Sequence, residues 1–422
     1  MLASCSTTSP GPEPRQGVRQ KDRAFYIYTS GTTGLPKAAN FSHMRMLFMM
    51  SGFLGALEPK PSDRIYDALP LYHATGGVCA VGMALNRGGA LIIKKRFSVS
   101  EFWQDIHKYE ATIFVYIGEM CRYLLNAAPA VHERDHHIRA ITGNGLRPEI
   151  WRQFQKRFAI PRIVEFYGAT EGNVSMMNYD GTVGAVGRVP DYIEPMLPTR
   201  TVRFDVEKEI PVRGSDGLCV ECAPNEVGEA IGGISNEAGR NFEGYTKAAD
   251  TEKKILHDVF KRGDAWFRTG DLMRRDEHGY FFFVDRIGDT YRWKGENVAT
   301  SEVTEALSVV QGVREANVYG VTVPGMDGRA GMAALVVDGW FDVNALAARL
   351  ALPHYEKPIF LRLQPEIAVT GTFKQRKVEL VKEGFDPTVL PDPIYWLNPT
   401  SGRYEVLTPA IYADIVEDKV KL

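Results

Sequence analysis

The chain has 422 residues, of which 44% are hydrophobic and 24% charged, and its net charge is −2. At roughly 150 residues per domain this length holds two or three packed domains, and the near-neutral balance excludes bulk-charge binding to nucleic acid or to a strongly anionic surface. Five cysteines at irregular spacing exclude a disulfide framework, and no apolar run reaches the ~18–20 residues a membrane-spanning helix needs.

Residues 4–20 are rich in Ser, Thr, Pro and Gly and carry no apolar core, so they do not read as a secretory signal. Residues 1–23 are expected to form a disordered N-terminal segment. The stretch Tyr26-Ile-Tyr-Thr-Ser-Gly-Thr-Thr-Gly-Leu-Pro-Lys37 follows. It sets Thr29, Ser30, Thr32 and Thr33 around Gly31 and Gly34 and ends in Lys37. With apolar residues before it and a helical pattern from Met44 to Leu57 after it, it predicts a strand, a glycine-rich loop and a helix. That arrangement cradles phosphate: glycines admit backbone N–H groups, hydroxyls donate, and Lys37 supplies charge. The glycine-to-lysine spacing is not that of a Walker A loop. A Gly/Ser linker would not place a Pro-Lys pair between aromatic and β-branched flanks.

A strand is expected from Arg64 into the loop at His73, and another at 90–93. A helix over 100–109 has Ser100 as its N-cap and buries Phe102, Trp103 and Ile106. Strands over 112–116, 138–142 and 162–167 alternate with helices over 119–128 and 148–157. This rhythm predicts a mostly parallel sheet with helices on both faces. Ligands of such sheets bind at the strands' carboxyl ends, here Gly143-Asn-Gly145 and Gly168-Ala-Thr-Glu171. The run His132-Glu-Arg-Asp-His-His137 reads as a solvated loop rather than a metal cluster, because it lacks a helical i, i+4 pair backed by further ligands. Cys219 and Cys222 form one C-x-x-C without a second pair, in a strand-like segment, which argues against zinc.

From about residue 180 short strands and turns predict a β-rich subdomain. Near Asp285-Arg-Ile-Gly-Asp289 the texture changes again. The remainder predicts a small α+β domain with helices over 301–309 and 343–350 and strands over 315–319, 332–337 and 359–363.

The chemistry-bearing motifs follow one order. Glu171 offers a carboxylate for Mg²⁺, which takes one or two carboxylates plus phosphate oxygens, and Tyr167 offers a ring for a base. Asp271, after the Thr-Gly turn of Trp266-Phe-Arg-Thr-Gly-Asp271, is a natural acceptor for ribose hydroxyls. Arg286 adds a cation, and Lys374 of Thr370-Gly-Thr-Phe-Lys374 sits in a loop of the small domain.

These motifs, with Tyr116-Ile-Gly-Glu-Met-Cys-Arg-Tyr-Leu-Leu125, Gly143-Asn-Gly-Leu-Arg-Pro148, Glu165-Phe-Tyr-Gly-Ala-Thr-Glu-Gly-Asn173 and Asp285-Arg-Ile-Gly-Asp-Thr-Tyr-Arg-Trp-Lys-Gly-Glu-Asn297, resemble the adenylate-forming superfamily. More narrowly, they resemble its fatty acid transport protein / very-long-chain acyl-CoA synthetase family. The resemblance covers the chain from about Ala24 onward. It implies an α/β fold: an AMP-binding large domain over 24–286, with a mostly parallel sheet and a β-rich subdomain, and a mobile α+β C-terminal domain over 287–422.

The resemblance also implies a reaction. A long-chain or very-long-chain fatty acid attacks the α-phosphate of Mg-ATP to give acyl-adenylate and pyrophosphate, and coenzyme A then displaces AMP; the product traps fatty acid taken up by the cell. By motif match, Thr29, Ser30, Gly31, Thr32, Thr33, Gly34 and Lys37 would hold phosphates, and Glu171 with Thr32 the Mg²⁺. Gly143, Asn144, Gly145, Tyr167, Gly168, Ala169 and Thr170 would surround adenine, and Asp271 and Arg286 would take ribose. Lys374 would stabilise the adenylation transition state, and His73 would stand beside the carboxylate and gate the acyl tunnel. Gly288 falls at the family's interdomain hinge.

Membrane association in an intracellular compartment is implied too: endoplasmic reticulum, peroxisome, lipid droplet or the inner face of the plasma membrane. The terminal Val-Lys-Leu422 only loosely matches a peroxisomal address. Family members carry a longer segment before the phosphate loop, so the chain reads as N-terminally truncated, with apolar surface exposed near that loop. The alternative function is a truncated, catalytically impaired relative that binds nucleotide or lipid.

Overall fold

The computed structural model of the chain describes residues 6, 8, 9, 11–29, 37–235, 241–326, 328–370 and 375–422. Strand β1 (Arg23–Thr29) pairs antiparallel with β2 (Lys37–Ser42), and Thr29 faces Lys37. Helix α1 (His43–Leu57) starts only after β2. The expected order of strand, loop and helix is therefore corrected: the glycine-rich loop joins two strands, and α1 begins beyond Lys37. The cause is local. Ala39 and Phe41 point inward and are fully buried, as an alternating strand requires. Ser42 then stops the strand by capping α1, its hydroxyl accepting from the Arg45 N–H at 3.1 Å. Strand β1 exposes Phe25, Tyr26 and Tyr28, and α1 exposes Leu47 and Phe48.

The next elements alternate: β3 (Arg64–Asp67), α2 (Val81–Arg87), β4 (Ala90–Ile93), α3 (Val99–Lys108), β5 (Ile113–Ile117), α4 (Gly118–Asn126), β6 (Ala140–Asn144), α5 (Pro148–Phe158) and β7 (Ile163–Gly168). The strands lie in the order β4-β3-β5-β6-β7, all parallel. Helix α3 begins after Ser98 rather than at Ser100, and the Ser98 side chain makes no capping bond. Packing sets that start, because Val99 already leans on the apolar core. Tyr66, Phe102, Phe114, Trp151, Phe154 and Phe158 are buried in this core.

Direction reverses after β7. Strands β8 (Ser175–Asn178) and β9 (Ala185–Arg188) are antiparallel additions to the same sheet. The sheet continues through β10 (Thr199–Asp205), β11 (Ile210–Pro211) and β12 (Val227–Gly233). After the short α6 (Ala248–Glu252) come β13 (Ile255–His257), β14 (Ala265–Arg275) and β15 (Tyr280–Arg286). Thirteen strands among the described residues share this mixed sheet. The β-rich region is thus hydrogen-bonded to the parallel part, with β15 paired to β9.

Beyond β15, a hairpin of β16 (Tyr291–Trp293) and β17 (Glu296–Val298) leads to α7 (Thr300–Ser308). Then follow β18 (Val313–Val321), β19 (Ala330–Val337), α8 (Leu346–Arg349), β20 (Phe360–Leu363), α9 (Val378–Glu383), β21 (Ile394–Asn398), β22 (Arg403–Val406) and α10 (Pro409–Val416). Strands β18 to β22 make a five-stranded sheet in chain order, and a second apolar core gathers side chains from Tyr291 to Leu422 around it. The helix expected over 343–350 shrinks to α8. Asp342 Oδ1 accepts from the N–H groups of Asn344 at 3.0 Å and Ala345 at 3.3 Å, and this turn competes with helix there.

The two cores are joined at named points. Asp285, at the end of β15, accepts from the Thr300 N–H at 2.5 Å and so supplies from outside the cap that α7 lacks. Within the C-terminal part, Lys377 lies 3.1 Å from Asp289 and donates to the Thr300 hydroxyl at 2.8 Å. Arg122 of α4 pairs with Glu119 at 2.6 Å and donates to the Arg314 carbonyl. Among the described residues no helix is long and apolar enough to cross a membrane.

Candidate active site

The carboxyl ends of β5, β6 and β7 open onto a cavity of about 590 Å³. Ile117, Asn144, Tyr167 and Gly168 come from those ends, α1 supplies Arg45, Met49 and Phe53, and β14 and β15 supply Asp271 and Arg286. This is where an open α/β sheet places a ligand.

Asp271 is positioned by its neighbours. Its N–H donates to the Thr269 hydroxyl at 3.1 Å, and that hydroxyl donates to the Ala230 carbonyl at 2.6 Å. Gly270 between them holds φ +78°, a left-handed turn suited to glycine. The Tyr167 hydroxyl donates to Asp271 Oδ2. Arg286 stands opposite Asp271 in the β14–β15 register, its Nε 3.7 Å from Oδ1. Burial, then the adjacent Asp271 carboxylate, push the Tyr167 phenol far above its ordinary pKa, so it remains a donor.

The turn after β6 is held from below by Glu165. This fully buried carboxyl accepts from the Tyr116 hydroxyl at 2.5 Å and from the N–H groups of Gly145 and Leu146 at 3.0 Å each. Burial raises its pKa to about 8, opposed by those three donors. A Cβ on Gly143 would lie 2.2 Å from the Tyr116 carbonyl oxygen, and one on Gly118 1.7 Å from that of Gly145. Gly118 and Gly143 therefore admit close backbone approach, Gly145 turns with φ +81°, and Asn144 reaches the cavity.

Across the cavity Glu171 accepts from the Tyr245 hydroxyl at 2.7 Å. Arg45 fixes the preceding loop by donating to the Ala169 carbonyl at 2.8 Å and to that of Gly172. Burial lowers the Arg45 pKa, with Glu243 and Glu171 opposing, and its buried Nε lacks a hydrogen-bond partner among the described residues. Lys37 lines the cavity with its Nζ 2.9 Å from Asp250 and over the Tyr245 ring.

The expected residues Thr29, Lys37, His73, Asn144, Tyr167, Gly168, Ala169, Thr170, Glu171, Asp271 and Arg286 all line this one cavity. Ser30, Gly31, Thr32, Thr33, Gly34 and Lys374 lie outside the described residues. Reading the sequence missed Arg45, Tyr245 and the supporting role of Glu165. Glu165 was visible as a lone acid in an apolar strand, but nothing in the sequence ties Arg45 or Tyr245 to Glu171. The same cavity has an apolar lining of Met49, Phe53, Cys79, Ile117, Phe166 and Met177, which pack in one hydrophobic cluster, and His73 lines it too.

The donor set fits a magnesium nucleotide. The Glu171 carboxylate lines the cavity along with Lys37, Arg45 and Arg286, the combination of acid and cations that Mg²⁺ and phosphates share. The volume is in the range of sites for small ligands.

The family model described as AMP-binding enzyme matches residues 2–216. Long-chain fatty acid transport protein 1 of Mus musculus is 44% identical over 98% of this chain and 65% of its own length. Long-chain fatty acid transport protein 3 of Mus musculus is 46% identical over 95% of this chain and 60% of its own length. Long-chain fatty acid transport protein 2 of Rattus norvegicus is 43% identical, over 99% and 68%. The chain thus spans under two thirds of the two mouse proteins.

Among solved structures, ATP-bound MatB from Rhodopseudomonas palustris superposes with a TM-score of 0.72 at 24% identity, over 86% of this chain and 69% of that one. The O-succinylbenzoate coenzyme A synthetase MenE from Bacillus subtilis, in complex with AMP, gives 0.67 at 22% identity, over 86% and 69%. These likenesses establish the fold, the α/β architecture of adenylate-forming enzymes. The chain belongs to the AMP-binding enzyme family and, within it, to the long-chain fatty acid transport proteins.

Proposed function

We propose that this chain carries the nucleotide and acyl sites of an ATP-dependent fatty acid–CoA ligase acting on long-chain or very-long-chain acids. One observation carries the reading: a single cavity is lined both by the polar group Tyr167, Asp271, Arg286 and Glu171 and by the apolar cluster Phe53, Ile117, Phe166 and Met177. A fatty chain held by the apolar lining would bring its carboxylate to the α-phosphate of ATP, with His73 beside it. The carboxylate oxygen forms the new bond to phosphorus and pyrophosphate leaves; coenzyme A thiol then takes the acyl group and AMP departs.

In this reading the Asp271 carboxylate accepts the ribose hydroxyls, Tyr167 flanks adenine, and Asn144 reads its edge. Glu171, oriented by Tyr245, would hold Mg²⁺, which supplies charge neutralisation on the phosphates. Thr32 would join it, and Lys374 would meet the charge that builds during adenylation. Fixed cations and donors aimed at developing charge are the usual source of rate in such a step. Thioester formation traps the acid, which couples the ligase to uptake at a membrane.

The long-chain fatty acid transport proteins among the relatives support the substrate class, and the solved neighbours support the fold. The deciding experiment is ATP–pyrophosphate exchange with a long-chain acid, followed by acyl-CoA formation on adding coenzyme A. Acid-dependent exchange is the expected result. AMP binding without exchange would overturn the ligase reading and leave a nucleotide- or lipid-binding relative.

A further inference from the structure

Away from the cavity, the last turn of α3 and the loop 127–137 after α4 bring three metal-binding side chains together. His132 Nδ1 lies 3.1 Å from Asp135 Oδ2, and His107 Nδ1 lies 3.4 Å from the same oxygen. The two imidazoles stack with centroids 3.8 Å apart and planes 15° from parallel. One ligand atom from each residue falls within 4.8 Å of the others, and among the described residues no other trio of His, Cys, Asp or Glu meets that spacing.

The distances fit coordination. A tetrahedral ion bound at about 2.0–2.2 Å to nitrogen and carboxylate oxygen separates its ligands by roughly 3.3–3.5 Å. The two nitrogen–oxygen edges are already close to that length. Imidazole donor pairs lie in the ring planes, so the stacked rings must turn out of their parallel arrangement before both nitrogens can share one ion, a rotation open to side chains at the surface. Two imidazoles and one carboxylate suit zinc and its neighbours, whereas magnesium and calcium prefer oxygen alone. The fourth position is open to water. The Asp135 backbone carbonyl, 3.0 Å from His107 Nδ1, is a further oxygen at the site.

Without an ion, one carboxylate oxygen serves both histidines. Hydrogen bonding from His132, with the charges of His107, His132 and His137 nearby, holds the Asp135 carboxyl below its usual pKa. The loop is otherwise tied down by the Arg157–Glu133 pair at 2.9 Å and by His136 Nε2, 2.8 Å from the Phe158 carbonyl. Both of these ties go to α5; to α3 the loop is held by His136, stacked on Trp103 with centroids 5.5 Å apart, and by the histidine–aspartate group.

We propose that His107, His132 and Asp135 form a site for a transition-metal dication of the zinc class, and that the bound ion fastens loop 127–137 to α3. The run 132–137 lacked a partner cluster in sequence; the fold supplies it as His107, from a separate helix.

The test is isothermal titration of the nucleotide-free full chain with zinc chloride, alongside hydrogen exchange of residues 127–137. One equivalent should bind in the micromolar range, and His107→Ala and His132→Ala should each weaken it by about tenfold or more. His257→Ala, at an exposed histidine paired with Glu252, should leave the affinity unchanged. Zinc should slow exchange in the loop of the parent chain but not of His107→Ala. If His107→Ala disturbs α3, His107→Gln, which keeps the side chain's length and polarity, must lose zinc to the same extent. Equal zinc affinity in the parent and the His107 and His132 variants would overturn the site. Stoichiometric binding with no slowing of the loop would overturn the fastening.

Discussion

The hydroxyl of Tyr167, at the end of β7, donates to the carboxylate of Asp271 on β14, which lies 104 positions later in the chain. This bond links the parallel half of the sheet to the antiparallel half across the mouth of the cavity. It also orients the carboxylate in which the proposed ribose contact resides. Asp271→Asn keeps the shape and removes the charge. A charged hydrogen bond is worth about 1.5–3 kcal/mol, or roughly ten- to a hundredfold in affinity. KM for ATP should rise by that factor with a smaller change in kcat, read from initial rates at saturating fatty acid. An unchanged KM would remove Asp271 from the nucleotide site.

Glu165 gives a pH signature. Its folded pKa, about 8 and above the ordinary carboxyl value, means the folded chain holds a proton that the unfolded chain releases. Its contribution is therefore fully present below about pH 4.5 and is lost as pH rises through about 8. Melting temperatures recorded across that window should fall with pH, and Glu165→Gln should flatten the fall. A parallel slope in both proteins would assign the effect to other groups.

Arg45 holds the loop that carries Glu171 by donating to the Ala169 and Gly172 carbonyls. Arg45→Met removes those bonds and leaves Glu243 and Glu171 without their nearby cation. The cost should be about 1–3 kcal/mol in urea unfolding, with weaker metal-nucleotide binding by calorimetry. Arg45→Lys, which restores charge but not the forked geometry, should recover only part of either loss. Full recovery by lysine would show that charge alone matters.

Gly288 holds φ +91° with open space where a side chain would sit. Proline fixes φ near −65°, so Gly288→Pro cannot keep this backbone and restricts rotation about it. The family resemblance puts the interdomain hinge here. Pyrophosphate exchange should survive the substitution while acyl-CoA formation drops. Should both half-reactions decline together, the hinge lies elsewhere.

The alternation of strands and helices from Ala90 to Gly168 was readable because burial imposes its period on the residues themselves. Strand β4 matches its expected span, and α5 starts at the proline that opens it. Strand β2 was not readable: Ala38 and Asn40 are weak strand formers, and the segment extends because β1 pairs with it. In the small domain, β21 and β22 were missed for a similar reason, since their pairing partners decide them.

The sequence by itself determined the family and the α/β alternation of strands and helices, because both rest on residue types at short spacing. The tertiary structure decided which of those residues meet. Glu171 and Tyr245 lie 74 positions apart, Tyr116 and Glu165 lie 49 apart, and His107 reaches Asp135 only because loop 127–137 folds back on α3. Such pairs follow from strand register and helix packing, which sum many weak contacts over the whole chain. No local window of sequence contains that sum.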